Sequence, residues 1–314
     1  RLPITEVGSD PEEGTHGNAM PAEAPALREP IPAMSISTKS KPTTKSRDLT
    51  NHNPYGTSVT LDMSDFVQDA ITHYVNVTKS DREPKLAQTP FCPPGSLLAS
   101  DWETVGELEK GCHSVVMKNM WVARTARPDL IKPCNDLAAH LHKWSRNCDK
   151  YIARTVGYMR RSKNFTLKGY VGDPLWDCEL WLFVDADFCG EVEHTKSTSG
   201  CWLVLVGPNT CYPIAWCGGK QGSTARSTTE AELISLAMGF FKVSIPILDF
   251  FDFILKAMGR EPMHIRVFED NQATIKVIKN GWSPNLSSVG RVHKVNIGSL
   301  NDVFYNTTPQ YAHI

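Results

Sequence analysis

Leu180-Trp181-Leu182-Phe183-Val184, Cys201 to Val206 and Tyr212 to Cys217 are three short apolar runs, the last two separated by the turn Gly207-Pro208-Asn209. Runs of that length, rich in β-branched and aromatic residues and so closely joined, predict an antiparallel meander rather than helices. The period then changes. A helix is predicted from about Thr228 to Lys242, Pro246 allows one turn before a further helix through Phe253 and Leu255, and His264 to Phe268 reads as a fourth strand. A last helix over Ala273 to Lys279 meets Gly281, which can cap it. The order β-β-β-α-(α)-β-α predicts an α/β fold: a mixed sheet made of a three-strand antiparallel meander plus an α/β crossover, with helices on its faces.

The chain upstream has a different character. Residues 1–54 are predicted to be a disordered tail: the first fifty hold seven prolines and no Phe, Tyr or Trp, too little to offset the entropy of ordering. From about Asp62 to Gly169 the pattern is mainly helical, and Ile152, Val156 and Met159 share one face while Lys150, Arg154 and Arg161 share the other. Between Lys118 and Lys168 twelve Lys/Arg stand against three acids, a local balance of +9, with Trp121, Trp144, Tyr151, Tyr158 and Phe165 interleaved. Basic groups beside aromatics suit a phosphate-backbone track, and they equally suit a solvated helix face over core aromatics. The net charge of −1 leaves any such surface local.

Other classes are set aside by composition. No run of eighteen apolar residues occurs, so no membrane span is expected, and Arg1 to Ala24 lacks the plan of a signal peptide. Nine cysteines without a CxxC pair point to reduced thiols in an intracellular, cytoplasmic or nuclear protein rather than a zinc ribbon or disulfide framework.

Three acids sit where elements end. Asp185 ends the first strand of the meander, Asp270 follows the fourth strand, and Glu232 lies in the first turns of the long helix. Carboxylates at strand ends point into the crevice where open sheets bind ligands. Carboxylates converging there repel one another, and a hard oxygen set without a His or Cys pattern favours Mg2+ or Mn2+ over zinc. Their neighbours have structural duties. Ser227-Thr228-Thr229-Glu230 reads as a capping box, Asp187 either competes with Asp185 or forms an Asx turn, and Glu269 is expected on the opposite pleat from Asp270, in solvent.

From Leu180 to about Ile297 the chain resembles the ribonuclease H domain of Ty1/copia-type retrotransposon polyproteins. The blocks that carry the likeness are FVDADFCGE (183–191), KSTSGCWLVL (196–205), KQGSTARSTTEAELISLA (220–237) and EDNQATIKV (269–277). Upstream, MWVARTARPDL (120–130) and GYMRRSKNFTLKG (157–169) are similar to the end of the reverse transcriptase in the same polyproteins. The resemblance implies a ribonuclease H-like domain over 176–314, preceded by a mainly helical thumb/connection region over 55–172. It implies that Asp185, Glu232 and Asp270 are metal-binding acids for two Mg2+ (or Mn2+) ions that hydrolyse the RNA strand of an RNA–DNA hybrid. Lys150, Arg154 and Arg161, with Arg226 and Asn271 in the matching blocks, are the expected contacts to nucleic acid.

Departures from the family pattern bear on activity. Family members carry a fourth acid in a C-terminal helix after a fifth strand. Laying Gln310-Tyr311-Ala312-His313-Ile314 on the family's Q-x-A-D-I puts His313 at that position, with the fifth-strand sequence before it shortened or missing. His293 is either a substitute ligand or a helix-surface histidine. No Asp-Asp pair is present, so a polymerase palm is not expected, and other polyprotein-derived segments are partners this reading allows. Two functions are therefore carried forward: a hybrid-cutting ribonuclease, and a catalytically inactive remnant that keeps the fold and binds nucleic acid nonspecifically. Another nuclease or an integrase on the same sheet is argued against by the thumb-like region.

Overall fold

Burial of β3 (Glu179–Asp187) between two neighbours organises the molecule. The computed structural model describes residues 56–80, 83–188, 195–308 and 310–314. The tail expected over 1–54 lies outside these residues, as does part of the FVDADFCGE block. In chain order the elements are β1 (Thr57–Leu61), α1 (Ser64–Thr78), α2 (Ala99–Trp102), α3 (Cys112–Thr125), α4 (Ile131–Ala139), α5 (Arg146–Arg161) and β2 (Leu167–Val171). After β3 come β4 (Thr198–Gly207), β5 (Thr210–Lys220), α6 (Thr228–Ala237), α7 (Ile245–Ala257), β6 (Ile265–Phe268) and α8 (Gln272–Asn280). Short helices α9 (Val289–Val292) and α10 (Ile297–Asn301) lead to β7 (Ala312–His313).

The fold is α/β with a mixed seven-stranded sheet in the order β1-β2-β5-β4-β3-β6-β7. β3, β4 and β5 form the expected antiparallel meander, turned by Pro208 and Asn209, while β6 and β7 run parallel to β3. The region expected to be helical also contributes β1 and β2, which extend this same sheet beyond β5.

Two cores flank the sheet. Leu180, Leu182 and Val184 alternate toward one face, where they pack with Leu203, Leu233, Leu236, Phe240 and Leu255. Their alternation is the period of a strand with one face on a helix layer. The opposite face is covered over β5 by α3 and α4; Val115 of α3, Leu137 of α4 and Leu130 of the turn between them form a second core with Ile152 and Val156 of α5. Trp216 of β5 closes that seam, its indole N–H donating to the Ala123 carbonyl at 3.0 Å. Beyond Trp202, which stacks on Trp216, Phe183 stacks on Phe268 and is 39% exposed.

The helix after β5 differs from expectation in length. α6 and α7 are joined by a π-helical segment, Met238–Ser244, into one rod of 30 residues, Thr228–Ala257. Lys242 and Asp249 interrupt its apolar run in sequence, and the rod is long and apolar enough to cross a membrane by length and composition alone, as a core helix also is. Half of its most apolar stretch is buried within this fold. Gly239 sits where the rod meets the sheet: an added Cβ would stand 2.9 Å from Val184 Cγ1 and 3.2 Å from Cys201 Cβ, so the approach requires the missing side chain.

Cysteine pairing also departs from expectation. Cys201 and Cys217 are cross-strand neighbours in β4 and β5, 5.1 Å apart at Cα, and form a disulfide. Their separation of 16 residues carries no sign of this, because strand register rather than spacing brings them together. The remaining described cysteines form no disulfide with one another.

Most of the basic face of α5 is engaged within the chain, Arg161 excepted. Residues 83–98, which carry four prolines, cross this helix at Gly157, where an added Cβ would collide with the Lys85 carbonyl. Proline cannot donate from its backbone nitrogen, so the segment's carbonyls need side-chain donors. Arg154 donates to the Phe91 carbonyl and to Thr89 Oγ1, Arg160 to the Pro84 carbonyl, Thr155 to the Pro90 carbonyl and Asn147 to the Leu98 carbonyl. Lys150 pairs with Asp101 at 2.5 Å.

Between α3 and α4, Arg127 is 2% exposed and fully engaged. It reaches both oxygens of Asp129 at 2.9 and 2.7 Å and donates to the Ser162 carbonyl and hydroxyl, with the Tyr158 and Phe165 rings beside it. Tyr158 donates to the same carboxylate at 2.8 Å. Removing one member leaves a desolvated charge behind. Arg127→Ala is expected to cost about 3–5 kcal/mol in urea unfolding, and Arg127→Lys, which loses the bidentate fork, recovers less than half. A loss below about 1 kcal/mol, the range of an exposed pair, contradicts this role.

Candidate metal centre

Parallel pairing levels two of the acids. β3 and β6 leave their ladder together at Phe183 and Phe268, and Asp185 and Asp270 each follow by two residues. The third acid depends on α6. Ser227 caps that helix by accepting the Glu230 N–H at 3.1 Å, while the Glu230 carboxylate accepts the Arg226 N–H at 2.7 Å. The expected capping box thus forms with its return bond one residue early. One turn beyond Glu232, the Ser235 hydroxyl lies 2.7 Å from the Asp185 carbonyl and 3.1 Å from that of Gly200, fixing the helix against β3 and β4. Asp185, Glu232 and Asp270 consequently each offer an oxygen within 4.8 Å of the others.

Glu269 adds a fourth carboxylate. It is 8% exposed, not solvated as its pleat suggests, because the chain turns after β6 and tucks it beneath Asn271. Its Oε1 accepts the Asn271 N–H at 3.0 Å, while its Oε2 is buried without a partner. Glu232, also 8% exposed, leaves its Oε2 unpartnered too. Among the described residues no Lys, Arg or His nitrogen lies at ion-pair distance from any of the four acids. Burial first, then the charges of Glu269, Asp185 and Asp270, push the Glu232 carboxyl up to about 8 despite the Ala186 N–H. Burial likewise raises Glu269 to about 7, with Asp270 and Asp185 adding to it against the Asn271 N–H. Bare, desolvated oxygens of like charge are costly in isolation and suit a hard divalent cation. The three converging acids fit such an ion by donor type and by these orphaned atoms.

The other expected site residues are placed elsewhere. His313 lies in β7, opposite Arg266, with its ring stacked on His264 at 5.9 Å near the amino end of β6. The segment aligned with the fourth acid is therefore used as the edge strand, and His313 is not one of the converging ligands. His293 is neither ligand nor surface histidine: its buried ring stands 3.4 Å from Glu230 Oε1, an ion-pair distance without hydrogen-bond geometry. Arg226 is largely exposed, beside Glu230 and Ser288. Asn271 caps α8, its side-chain oxygen accepting the Thr274 N–H at 3.0 Å. Arg154 holds the proline-bearing segment and Lys150 pairs with Asp101 of α2, while Arg161 is exposed on the last turn of α5.

The raised carboxyls set a pH dependence. Each holds its proton in the folded chain where an unfolded carboxyl, at 4.5, has released it. The folded state then binds more protons from about pH 5 to 8, so stability falls as pH rises through that window. In chelator, the melting temperature is expected to decline from about pH 5 to 8, and Glu232→Gln is expected to flatten the decline. Millimolar Mn2+ is expected to raise melting more at the upper pH, where the acids are bare. A profile that rises over this window contradicts the assignment.

No known family model matches the chain. Over 111 residues it is 31% identical to the retrovirus-related Pol polyproteins from transposons RE2 and RE1 of Arabidopsis thaliana. That stretch covers 35% of this chain and spans about 7% of the length of each relative. The similarity supports a retrotransposon Pol polyprotein as the kind of protein from which this region comes.

Proposed function

We propose that the chain is a ribonuclease H-like nuclease that hydrolyses the RNA strand of RNA–DNA hybrids with two divalent cations, Mg2+ or Mn2+. The observation that carries this reading is the convergence of Asp185, Glu232 and Asp270 from two strand ends and one helix. The sheet order β5-β4-β3-β6-β7, a meander followed by two parallel strands, supports a ribonuclease H-like fold. The Pol polyprotein likeness supports a retroelement enzyme region.

The chain's own residues perform holding and positioning. Asp185, Glu232 and Asp270 would hold the cations. Bound cations supply Lewis-acid chemistry for in-line phosphodiester hydrolysis, at the attacking water and at the leaving oxygen. Ser235 keeps α6 in register with β3, so that Glu232 stays level with Asp185. Asp185 and Asp270 are exposed and open to a phosphate, while Glu232 anchors the set from below. Gly200, opposite Asp185 on β4, adds no side chain beside that carboxylate.

One observation favours the second reading, a fold that binds without cutting: His313, aligned with the family's fourth acid, stands away from the converging three. A labelled hybrid separates the two. With Mg2+ the full chain is expected to cleave the RNA strand, and Asp185→Asn to lower cleavage by roughly a thousandfold, about 4 kcal/mol of transition-state stabilisation. An uncut hybrid retained in a salt-sensitive complex, under both Mg2+ and Mn2+, gives the second reading instead.

A further inference from the structure

We propose that α7 joins two copies of this chain, its outward stripe packing antiparallel on the same stripe of a second copy about a twofold axis. The helix has two apolar faces. Leu248 and Leu255 are buried in the first core, and Ile245, Ile247 and Phe251 pack partly against it. On the outward side Pro246, Phe250, Phe253 and Ala257 are all exposed, Phe250 by 60% and Phe253 by 74%. Their spacing of four, three and four residues is the alternation of a coiled-coil seam. Single exposed aromatics are ordinary on a surface, whereas a continuous apolar line along one helix marks a contact.

Charge fixes the occupant and its direction. Asp249 and Lys256 flank the seam on one side, both exposed, and among the described residues neither has an ion-pair partner. The helical rise sets them about 10 Å apart, beyond each other's reach. Antiparallel packing that lays Phe250 of one copy on Phe253 of the other also lays Pro246 on Ala257. The same register places each Asp249 opposite the other copy's Lys256, so two ion pairs form from one sequence, while Ile247 meets Ile254 on the other flank. Parallel packing sets Asp249 beside Ile254 instead and leaves both charges unpaired. With roughly 150–250 Å2 of surface on each phenylalanine, the seam lies at the small end of specific interfaces, and a micromolar dimer is expected.

The test is sedimentation velocity of the full chain from low micromolar to submillimolar concentration. The wild-type chain is expected to pass from monomer to dimer. Phe250→Ser combined with Phe253→Ser is expected to weaken the dimer at least tenfold. Asp249→Lys and Lys256→Asp each bring like charges together across the seam, and each is expected to weaken it comparably. An equal mixture of these two single variants is expected to restore association, because each supplies the charges that the other lacks. Melting of each variant in dilute solution, unchanged from wild type, confirms that the fold is retained. A wild-type chain that stays monomeric at every concentration overturns the proposal, also where that monomer binds phospholipid vesicles through the two phenylalanines. A dimer that tolerates the charge reversals, or that the mixture fails to restore, overturns the antiparallel seam as its contact.

Discussion

Crowding of like charge at the carboxyl ends of β3 and β6 is the constraint around which the sheet domain is arranged. Three carboxyl groups gather there, Asp185, Glu232 and Asp270, with Glu269 next to them in the chain; among the described residues none of the four has a cationic partner, and Glu232 and Glu269 are buried. A protein does not hold such a set together through the acids themselves, which repel. The surrounding structure does it: parallel register levels Asp185 with Asp270, and the Ser235 hydroxyl fastens α6 to the backbone of β3 and β4. The apolar stripe Leu233, Leu236 and Phe240 then locks that helix on the sheet. Burial of this stripe, at roughly 25 cal/mol per Å2 of apolar area, supplies the force that opposes the repulsion.

The helical layer contributes scaffolding of a different chemistry. Its charged groups are used for internal satisfaction: Arg127 between Asp129 and Ser162, Asp149 accepting the Trp144 indole and two backbone N–H groups, and Arg154 on the carbonyls of a proline-bearing segment. A surplus of cations in sequence thus overstates the basic surface in space, although Arg124, Arg146, Arg161 and Lys168 are exposed. Much of it is consumed where proline and buried carbonyls need donors.

What could be read from residues alone follows a physical division. Features set by local period or by position at an element's end were legible: the meander, α6 and its Ser227 cap, α8 ending at Gly281, and the three acids at Asp185, Glu232 and Asp270. Features set by distant pairing were not. Cys201 meets Cys217 through register, β1 joins β2 across a whole helical layer, and Lys150 finds Asp101 through the path of a loop. Glu269 shows the limit of a pleat argument, which gives the side a residue leaves the strand from but not whether the chain then folds over it. His313 shows the limit of an alignment: its neighbours match, but the short segment is taken up as β7.

The most direct measurement of the central claim is the anomalous scattering of Mn2+ in a crystal of the full chain. The account predicts density within coordination reach of Asp185, Glu232 and Asp270 together, at one shared pocket. Manganese found at other carboxylates while these three stand apart would contradict it.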